Sequence, residues 1–343
     1  MNALVLEEYN RLVYKDVPVP EIKDHEVLIK VKACGICGSD VHGMDGSTGR
    51  RIPPVIMGHE ASGVIEKIGS DVHSWKPGDR VTFDSTIYQL NDWFTLRGMY
   101  NLSEDRKVLG VSPGEYRQDG ALAEYVAVPD HILYKLPEEV NFIQAAMVEP
   151  VAVACHGVEL SALGMQDTVA VVGTGMIGLF LVQVLKNSSA GNIIAIDIDD
   201  RKLKMAARFG ADIVLNPTKH DIQKEIKGLT EGRGADVVFE AVGSSDTVNL
   251  AISIARRGGM VTLIGNISAE VSFPLQSVVT RQIRIQGSCA FAGEYPVVLD
   301  MMKKGLIDTE PMISAAAPLS EGALWFERLY NKEPGLFKVV LIP

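Results

Sequence analysis

A glycine-rich turn between a buried strand and a helix limits the folds open to this 343-residue chain. In "TVAVVGTGMIGLFLVQVL", Gly173, Gly175 and Gly178 have the spacing G-x-G-x-x-G. The first glycine permits a tight turn, the second lets a pyrophosphate approach the backbone, and the third lets helix and strand pack closely. The helix N-terminus then faces the phosphates. A chain with 32 glycines can match the pattern by chance, but the strand–turn–helix context predicts a dinucleotide site.

An aspartate at the end of the next strand indicates which dinucleotide binds. Asp197 closes "NIIAID", and its carboxylate can accept hydrogen bonds from the adenosine ribose hydroxyls. The same charge would repel a 2′-phosphate, so the sequence favours NAD over NADP. The alternative is that Asp197 caps the following helix, a role that Asp199 could also fill. The remaining predicted cofactor-binding residues are Met176, Ile177 and Arg201.

The pattern of strands and helices changes near Pro150. Before it, short apolar runs such as "EVLIKVKACG" and "AEYVAVPD" predict an irregular, strand-rich domain. After it, strands and helices alternate through "ADVVFEAVG" and "GGMVTLIG", which predicts a parallel sheet with helices on both faces. The tail after about residue 290 ends in "GLFKVVLIP" and has no place in that sheet. It could return to the first domain.

Composition and charge exclude several classes of protein. A hydrophobic share of 47% and a charged share of 22% are typical of a soluble globular chain. The net charge of −10 argues against a nucleic-acid partner or an anionic membrane surface. We see neither a signal peptide nor an apolar run long enough to span a membrane. Four irregularly placed cysteines do not form a disulfide framework, so we expect a cytoplasmic protein.

Potential zinc ligands collect in the strand-rich part of the chain. Zinc prefers thiolate, imidazole and carboxylate ligands, and catalytic sites use three protein ligands with one position left open. Each such residue alone is more often a packed cysteine or a solvated surface group. Their combination with a dinucleotide fold downstream predicts a metal site. The candidates lie in "GICGSDVH", "GHE" and "VEPVAVACH", and are Cys37, His59, Glu60, Glu149 and His156.

Several motifs together resemble those of one enzyme family. "GICGSDVH", "GHEASGVIEKIG", "KPGDRV", "EPVAVACHG" and "VVGTGMIG" stand in the order found in the zinc-dependent medium-chain dehydrogenases. The chain looks most like the polyol branch, with its sorbitol, iditol and galactitol-phosphate dehydrogenases. The resemblance implies a two-domain α/β protein. A GroES-like catalytic domain would comprise residues 1–150 completed by 290–343, a Rossmann NAD-binding domain would comprise 151–289, and the active site would lie in the cleft.

The resemblance also assigns roles at the predicted metal site. Cys37 and His59 resemble the catalytic zinc ligands, and Glu60 resembles the family carboxylate that ligates zinc directly or exchanges with water. Glu149 stands where alcohol dehydrogenases usually carry a ligand cysteine, and polyol and threonine dehydrogenases commonly have glutamate there. Cys34 matches no ligand, and we expect it to be packed near the site.

A proton relay is implied by the same motif. Ser39 and His42 resemble the family's relay hydroxyl and imidazole, which carry the substrate proton through the cofactor ribose to solvent. Histidine suits the outer end because its usual pKa, about 6.5, allows proton exchange near neutrality. Outside this motif, His42 would be interpreted as a surface-loop histidine.

The expected activity is hydride transfer between NAD and a secondary alcohol of a polyol or sugar derivative, in a homodimer or homotetramer. A threonine 3-dehydrogenase or butanediol dehydrogenase would use the same residues. A metal-free quinone or enone reductase, or a non-catalytic nucleotide-binding protein, would leave the potential ligands unexplained. Sorbitol dehydrogenases carry an arginine after the last Rossmann strand, but "GSCAFAGEY" has none, which leaves the sugar unassigned.

One zinc per chain is expected, because a second, structural site lacks its ligands. Many members of this superfamily hold that zinc with four cysteines spaced C-x2-C-x2-C-x7-C. The corresponding lobe, residues 87–106, has Gln89, Asp92, Thr95 and Ser103 at those positions. One carboxylate cannot replace four thiolates. Apolar contacts within the lobe or against a partner subunit would anchor it instead, made by Trp93, Phe94, Leu96 and Tyr100.

Overall fold

The structure, a computed structural model, describes residues 1–114 and 116–343. The chain divides into two compact units, each built from more than one segment. The first unit comprises Met1–Glu149, Tyr295–Lys303 and Thr309–Pro343, and the second comprises Pro150–Glu294 and Lys304–Asp308.

Most strands of the first unit come early in the chain, and its last two come at the C-terminus. The strands of both units, in chain order, are β1 (Asn2–Glu8), β2 (Arg11–Asp16), β3 (Glu26–Gly35), β4 (Val55–Ile56), β5 (Glu60–Ile68), β6 (Arg80–Phe83), β7 (Thr86–Ile87), β8 (Lys107–Val108), β9 (Tyr125–Pro129), β10 (Leu133–Lys135), β11 (Val169–Val172), β12 (Ile193–Ile196), β13 (Ile213–Leu215), β14 (Ala235–Glu240), β15 (Ala255–Leu263), β16 (Arg284–Gly287), β17 (Ile313–Pro318) and β18 (Lys338–Ile342). Of these, β11 to β16 belong to the second unit.

The helices of both units, in chain order, are α1 (Gly38–Gly43), α2 (Phe142–Ala145), α3 (Val148–Glu159), α4 (Met176–Lys186), α5 (Asp200–Arg208), α6 (Ile222–Leu229), α7 (Ser245–Ile254), α8 (Leu275–Arg281), α9 (Tyr295–Lys303) and α10 (Gly322–Tyr330). The helices range in length from four residues in α2 to twelve in α3. Within residues 1–114 and 116–343, none of these helices combines the length and apolarity needed to cross a membrane.

The largest sheet of the first unit is organised around β3. Its strand order is β10-β6-β5-β3-β18-β17, and β9 also pairs with β3. Strand β3, "EVLIKVKACG", has three charged residues among apolar ones, and most of its side chains are buried. The C-terminal strand β18 runs antiparallel to β3, pairing Val340 with Gly35 and Leu341 with Cys34. The tail therefore has its place in this sheet.

The second unit is a six-stranded parallel sheet with the order β13-β12-β11-β14-β15-β16. This is the doubly wound order of dinucleotide-binding folds. Strand β11, "VAVV", is buried along its whole length, as expected for a central parallel strand covered by helices on both faces. Side-chain caps begin α5, α6 and α7 at Asp199, Asp221 and Ser244, because each accepts a hydrogen bond from a first-turn N–H. The Rossmann fold predicted from the glycine motif is confirmed.

Candidate functional site

Sheet register brings the first predicted ligands together. Strands β3 and β5 are antiparallel neighbours, and Gly35 at the end of β3 pairs with Glu60 at the start of β5. Cys37 follows β3 as the residue before α1, and His59 directly precedes β5. Because these positions lie at the same end of two paired strands, both side chains reach the same space.

We call Cys37, His59, Glu60 and Glu149 the metal centre. One ligand atom from each of Cys37, His59 and Glu60 lies within 4.8 Å of the others. Glu149, in the first turn of α3, lies outside that group of three. Burial, and then the charge of Glu60, raise the pKa of its carboxyl, and the charges of His59 and Cys37 also act on it, so Glu149 lies near these residues.

Electrostatics make the metal centre suited to a cation. Burial, and then the charge of Glu60, raise the pKa of the Cys37 thiol to about 12. Burial is also the main cause that raises the pKa of Glu149 well above its usual value, again with Glu60 next. Three acidic groups thus share a buried space that disfavours their charges. A divalent cation reverses this, since a coordinated thiol loses its proton outright.

The donor set fits zinc. It offers one sulfur, one imidazole nitrogen and carboxylate oxygens, which are the ligand types that catalytic zinc takes. Cys37, His59 and one carboxylate would supply three protein ligands and leave a position for substrate.

A buried carboxylate behind His59 orients its ring. Asp40 is fully buried in α1, and its Oδ2 lies 3.4 Å from His59 Nδ1. Neither atom makes a hydrogen bond to another described group. Arg51 holds the other oxygen, donating from Nε and Nη2 to Asp40 Oδ1 over 3.1 and 2.6 Å. With Nδ1 turned toward Asp40, Nε2 is the ring nitrogen left to bind a metal, the usual arrangement behind a ligand histidine.

Glu60 forms a buried ion pair with Lys338 of β18. Glu60 is 1% exposed and Lys338 is 3% exposed, so neither charge is solvated. Lys338 also donates from Nζ to the carbonyl oxygen of Ile36 over 3.1 Å. The carboxylate of Glu60 is therefore bound on the side away from solvent by a cation that sequence reasoning did not identify.

The two predicted relay residues lie on one short helix. Ser39 and His42 are three residues apart in α1, so their side chains leave the same face. The Ser39 hydroxyl donates to Cys37 Sγ over 3.2 Å and accepts from Arg51 Nη2 over 3.1 Å. His42 is exposed, and within the described chain no hydrogen bond joins it to Ser39.

Two other residues of this part of the sequence lie outside the cluster. Cys34 is fully buried in the hydrophobic core of the first unit and is not among the clustered ligand atoms. His156 belongs to the second unit, where its Nδ1 contacts Glu294 Oε1 at 2.6 Å in a buried pair. Its ligand atom is not grouped with those of Cys37, His59 and Glu60.

The glycine loop between β11 and α4 leaves space for a ligand. Gly173 has a φ of +90°, and a Cβ there would lie 2.3 Å from Val242 Cγ2. A Cβ on Gly178 would lie 1.9 Å from the carbonyl oxygen of Gly173, so helix and strand pack as the motif predicts. At Gly175, by contrast, no atom lies within 4 Å of the Cβ position.

The start of α4 offers free donors beside that space. Gly175 is the N-cap residue and supplies no capping side chain. The N–H groups at Met176 and Ile177 therefore lack a side-chain acceptor, and these residues are only partly buried. A pyrophosphate would satisfy them and would gain from the helix dipole.

Asp197 and Asp199 have separate roles. Asp199 is the N-cap of α5, accepting from the backbone N–H of Arg201, so Asp197 is not needed there. Asp197 accepts from Thr174 N over 2.7 Å and from Asp199 N over 2.9 Å, which fixes its carboxylate at the end of β12. Arg201, predicted to contact the cofactor, pairs with Asp199 through Nε and Nη2.

Polar groups occupy the predicted zinc-lobe positions. Asp92 accepts from Thr95 N over 2.7 Å. The pKa of Asp92 is lowered, and the neighbouring Ser103 side chain is the largest cause. Asp92 therefore holds the segment around Thr95 through a backbone hydrogen bond. The fourth of these positions, Gln89, is exposed.

Of the aromatic groups predicted to anchor the lobe, one is buried. Tyr100 stacks on Tyr88 with ring centroids 4.2 Å apart and donates to Asp84 Oδ2 over 2.7 Å. Trp93 is 57% exposed and Leu96 is 69% exposed. Phe94 contacts Trp93 edge-to-face. The lobe therefore presents apolar surface in this chain.

Replacing Asp40 tests the orientation of His59. In Asp40→Asn, the imidazole loses its charged partner, and zinc should dissociate about 10- to 100-fold more readily. Competition with a chromogenic chelator measures the zinc dissociation constant. Asp45→Asn, outside the metal centre, is the control and should leave the constant unchanged. A constant for Asp40→Asn equal to that of the unmodified protein would contradict this role.

Comparison with known proteins places the chain in a family. Residues 23–138 match the alcohol dehydrogenase GroES-like domain, and residues 177–304 match the zinc-binding dehydrogenase family. D-arabitol-phosphate dehydrogenase of Enterococcus avium is 33% identical over 94% of this chain and 91% of its own length. Sorbitol dehydrogenase of Bacillus subtilis (strain 168) is 31% identical over 100% of this chain and 97% of its own.

The fold agrees with that of a solved relative. A zinc-binding dehydrogenase from Sinorhizobium meliloti 1021, bound to NADP, superposes with a TM-score of 0.91 at 31% identity. The superposition covers 100% of this chain and 99% of that one. The resemblance drawn from the motifs is confirmed: the chain belongs to the zinc-dependent medium-chain dehydrogenase family, in its polyol dehydrogenase branch.

Proposed function

We propose that this enzyme transfers a hydride between a secondary alcohol of a polyol or sugar derivative and NAD. The observation that carries the proposal is the metal centre, in which one thiol, one oriented imidazole and two carboxylates face one buried space. Glutamate at position 149, rather than cysteine, is what separates this centre from that of simple alcohol dehydrogenases in the motif comparison. The relatives named for sorbitol and D-arabitol-phosphate support the same substrate class.

Zinc held by Cys37, His59 and a carboxylate of Glu60 or Glu149 would supply a Lewis acid for the substrate oxygen. The chain's own groups handle the substrate proton. Ser39 is placed beside Cys37 by two hydrogen bonds, and its hydroxyl can accept the proton of a substrate hydroxyl. His42, exposed on the same face of α1, can exchange that proton with solvent near neutral pH.

Turnover of candidate alcohols tests the proposed activity. Polyols, their phosphates, threonine and 2,3-butanediol would be supplied with NAD, and NADH absorbance would be followed. We expect the highest kcat/KM for a polyol or its phosphate, and loss of turnover after zinc chelation that added zinc restores. Exclusive oxidation of threonine, or activity that survives chelation, would contradict the proposal.

The chain binds a nicotinamide cofactor, and we infer that it prefers NAD to NADP. Support comes from Asp197, whose carboxylate is fixed at the end of β12 by two backbone N–H groups. A ribose with two free hydroxyls can bond to that carboxylate, whereas a 2′-phosphate is repelled by it.

Replacing Asp197 tests the preference. Asp197→Ser should lower the ratio of kcat/KM for NAD over NADP by about tenfold or more, since a hydrogen bond to a charged group contributes about 1.5–3 kcal/mol. Asp199→Ser, which keeps a capping hydroxyl, is the matched control and should change the ratio little. A higher kcat/KM with NADP in the unmodified enzyme would show that the reading of Asp197 is wrong.

We also propose one zinc per chain, without a structural zinc in the lobe. Only Asp92 among the four lobe positions is a good zinc ligand, and its carboxylate already accepts a hydrogen bond from the backbone N–H of Thr95.

Metal analysis of the purified protein tests the zinc count. Unmodified protein should hold close to one zinc per chain. Cys37→Ala should lose it, with a rate lowered by several orders of magnitude, because zinc contributes several kcal/mol of transition-state stabilisation. Cys34→Ala, which removes a packed thiol from the same segment, should keep its zinc. Two zincs per chain, or a metal-free Cys34→Ala protein that still folds, would refute these assignments.

We propose that the chain forms a homodimer or homotetramer through a surface of the second unit. Strand β16 is the last strand of its sheet and pairs only with β15 in the described chain. Beside it, α8 has no buried residue, and its Leu275 and Val279 are 64% and 68% exposed. An open strand edge flanked by apolar side chains favours pairing with a second copy. Cys34, Cys37 and Cys155 form no disulfide bond, which supports a reducing compartment such as the cytoplasm.

A further inference from the structure

Arg51 is a buried cation in the segment between α1 and β4, and its side chain is 3% exposed. The backbone on either side of it is tied to Ser112. Ser112 N donates to the carbonyl oxygen of Arg50 over 3.0 Å, and Ile52 N donates to the carbonyl oxygen of Ser112 over 3.2 Å. Gly43 leaves room for the side chain, since a Cβ there would lie 2.6 Å from Arg51 Cδ. Both the backbone and the stem of Arg51 are therefore fixed.

The guanidinium group of Arg51 donates to two acceptors with different tasks. Nε and Nη2 donate to Asp40 Oδ1 over 3.1 and 2.6 Å, and Nη2 also donates to Ser39 Oγ over 3.1 Å. Because Oδ1 takes both hydrogen bonds to Asp40, Oδ2 is the oxygen that faces His59 Nδ1, 3.4 Å away. One planar cation thus sets the direction of the carboxylate behind His59 and also holds the hydroxyl of Ser39.

The bond from Arg51 also decides which way the Ser39 hydroxyl points. A guanidinium group has only N–H donors, so the Ser39 oxygen is the acceptor in that bond. The hydroxyl hydrogen is directed instead at Cys37 Sγ, to which it donates over 3.2 Å. A hydroxyl oxygen has two lone pairs, and the second remains for the proton of a substrate hydroxyl. The contact with Arg51 therefore keeps Ser39 turned toward the metal centre.

We propose that Arg51 is a positioning residue that acts on metal binding and on proton transfer at once. Through Asp40 it orients the ligand His59. Through Nη2 it holds Ser39 where that hydroxyl can accept the substrate proton. The second role rests on the proposed function, since Ser39 receives a proton only if the enzyme oxidises an alcohol. Arg51 lies between the two motifs that carry the ligands, "GICGSDVH" and "GHE", and belongs to neither.

Arg51→Lys tests the proposal because it keeps the charge and removes the planar fork. Lysine has a single nitrogen, so it cannot reproduce the spacing of Nε and Nη2. The zinc dissociation constant, measured by competition with a chromogenic chelator, should rise about tenfold. At saturating zinc, kcat/KM for the alcohol should fall about 10- to 100-fold, which is part of what a positioned base contributes. Arg50→Lys, at an exposed position, is the matched control and should change neither quantity.

Two further backgrounds show through which residue each effect acts. In Ser39→Ala, adding Arg51→Lys should lower kcat/KM by about twofold or less, because the hydroxyl it holds is already absent. In Asp40→Asn, adding Arg51→Lys should leave the zinc dissociation constant unchanged. This background also lacks the buried carboxylate charge, so it should fold if Arg51→Lys alone does not. The dissociation constant of NADH, followed by nucleotide fluorescence, should stay the same in every variant.

Three results would overturn the proposal. The first is an Arg51→Lys protein with the zinc constant and kcat/KM of the unmodified protein. The second is losses of the same size in the Ser39→Ala and Asp40→Asn backgrounds. The third is a parallel loss of NADH binding, which would show that Arg51 only supports the fold. If no polyol is oxidised, the proposed function fails separately, and the zinc constants still decide whether Arg51 acts on His59.

Discussion

The first unit depends on one constraint. It buries acidic groups that have too few cations to pair with them. Cys37, Glu60 and Glu149 face one space, and burial is the largest cause of the raised pKa values of Cys37 and Glu149. An isolated buried charge costs several kcal/mol, so such a cluster persists only if cations offset it. Lys338 provides one cation, and a divalent metal provides the remainder. The sheet formed by β3, β5 and β18 sets the distances at which these charges meet.

The second unit depends on a different constraint, the shape of its glycine loop. Side chains at Gly173 or Gly178 would collide with Val242 and with the loop backbone, whereas the position above Gly175 is open. The loop therefore packs tightly on one side and leaves backbone donors free on the other. Asp197 reaches back to Thr174 and joins the end of β12 to the same loop. The first unit thus brings negative charges together around a metal, and the second unit leaves backbone N–H donors free for phosphate.

Local patterns allowed much of the fold to be predicted. "EVLIKVKACG" corresponds to β3 from its first to its last residue, and the glycine motif lies between β11 and α4. Short motifs also contain Cys37, His59 and Glu60, whose ligand atoms the structure brings together. His156 is not in that group. It lies seven residues after Glu149 in α3, about 10 Å along the helix axis, which is too far to share one metal with it.

The supporting groups could not be predicted in the same way. Lys338 lies 278 residues from Glu60, and only the pairing of β18 with β3 brings them together. Asp40 is part of "GICGSDVH", but its role depends on Arg51, which reaches it through a loop. In the lobe, the sequence showed which cysteines are missing but not that Asp92 accepts a hydrogen bond from the backbone N–H of Thr95. Such groups act through tertiary contacts, for which a single sequence has no local pattern.

X-ray absorption at the zinc edge of the metal-loaded protein tests the central claim most directly, because it counts the atoms around the metal. The account predicts one sulfur at about 2.3 Å, from Cys37, and nitrogen or oxygen neighbours at about 2.0–2.2 Å. Two or more sulfur neighbours, or none, would contradict a metal centre in which Cys37 supplies one sulfur, His59 a nitrogen and a glutamate the oxygen.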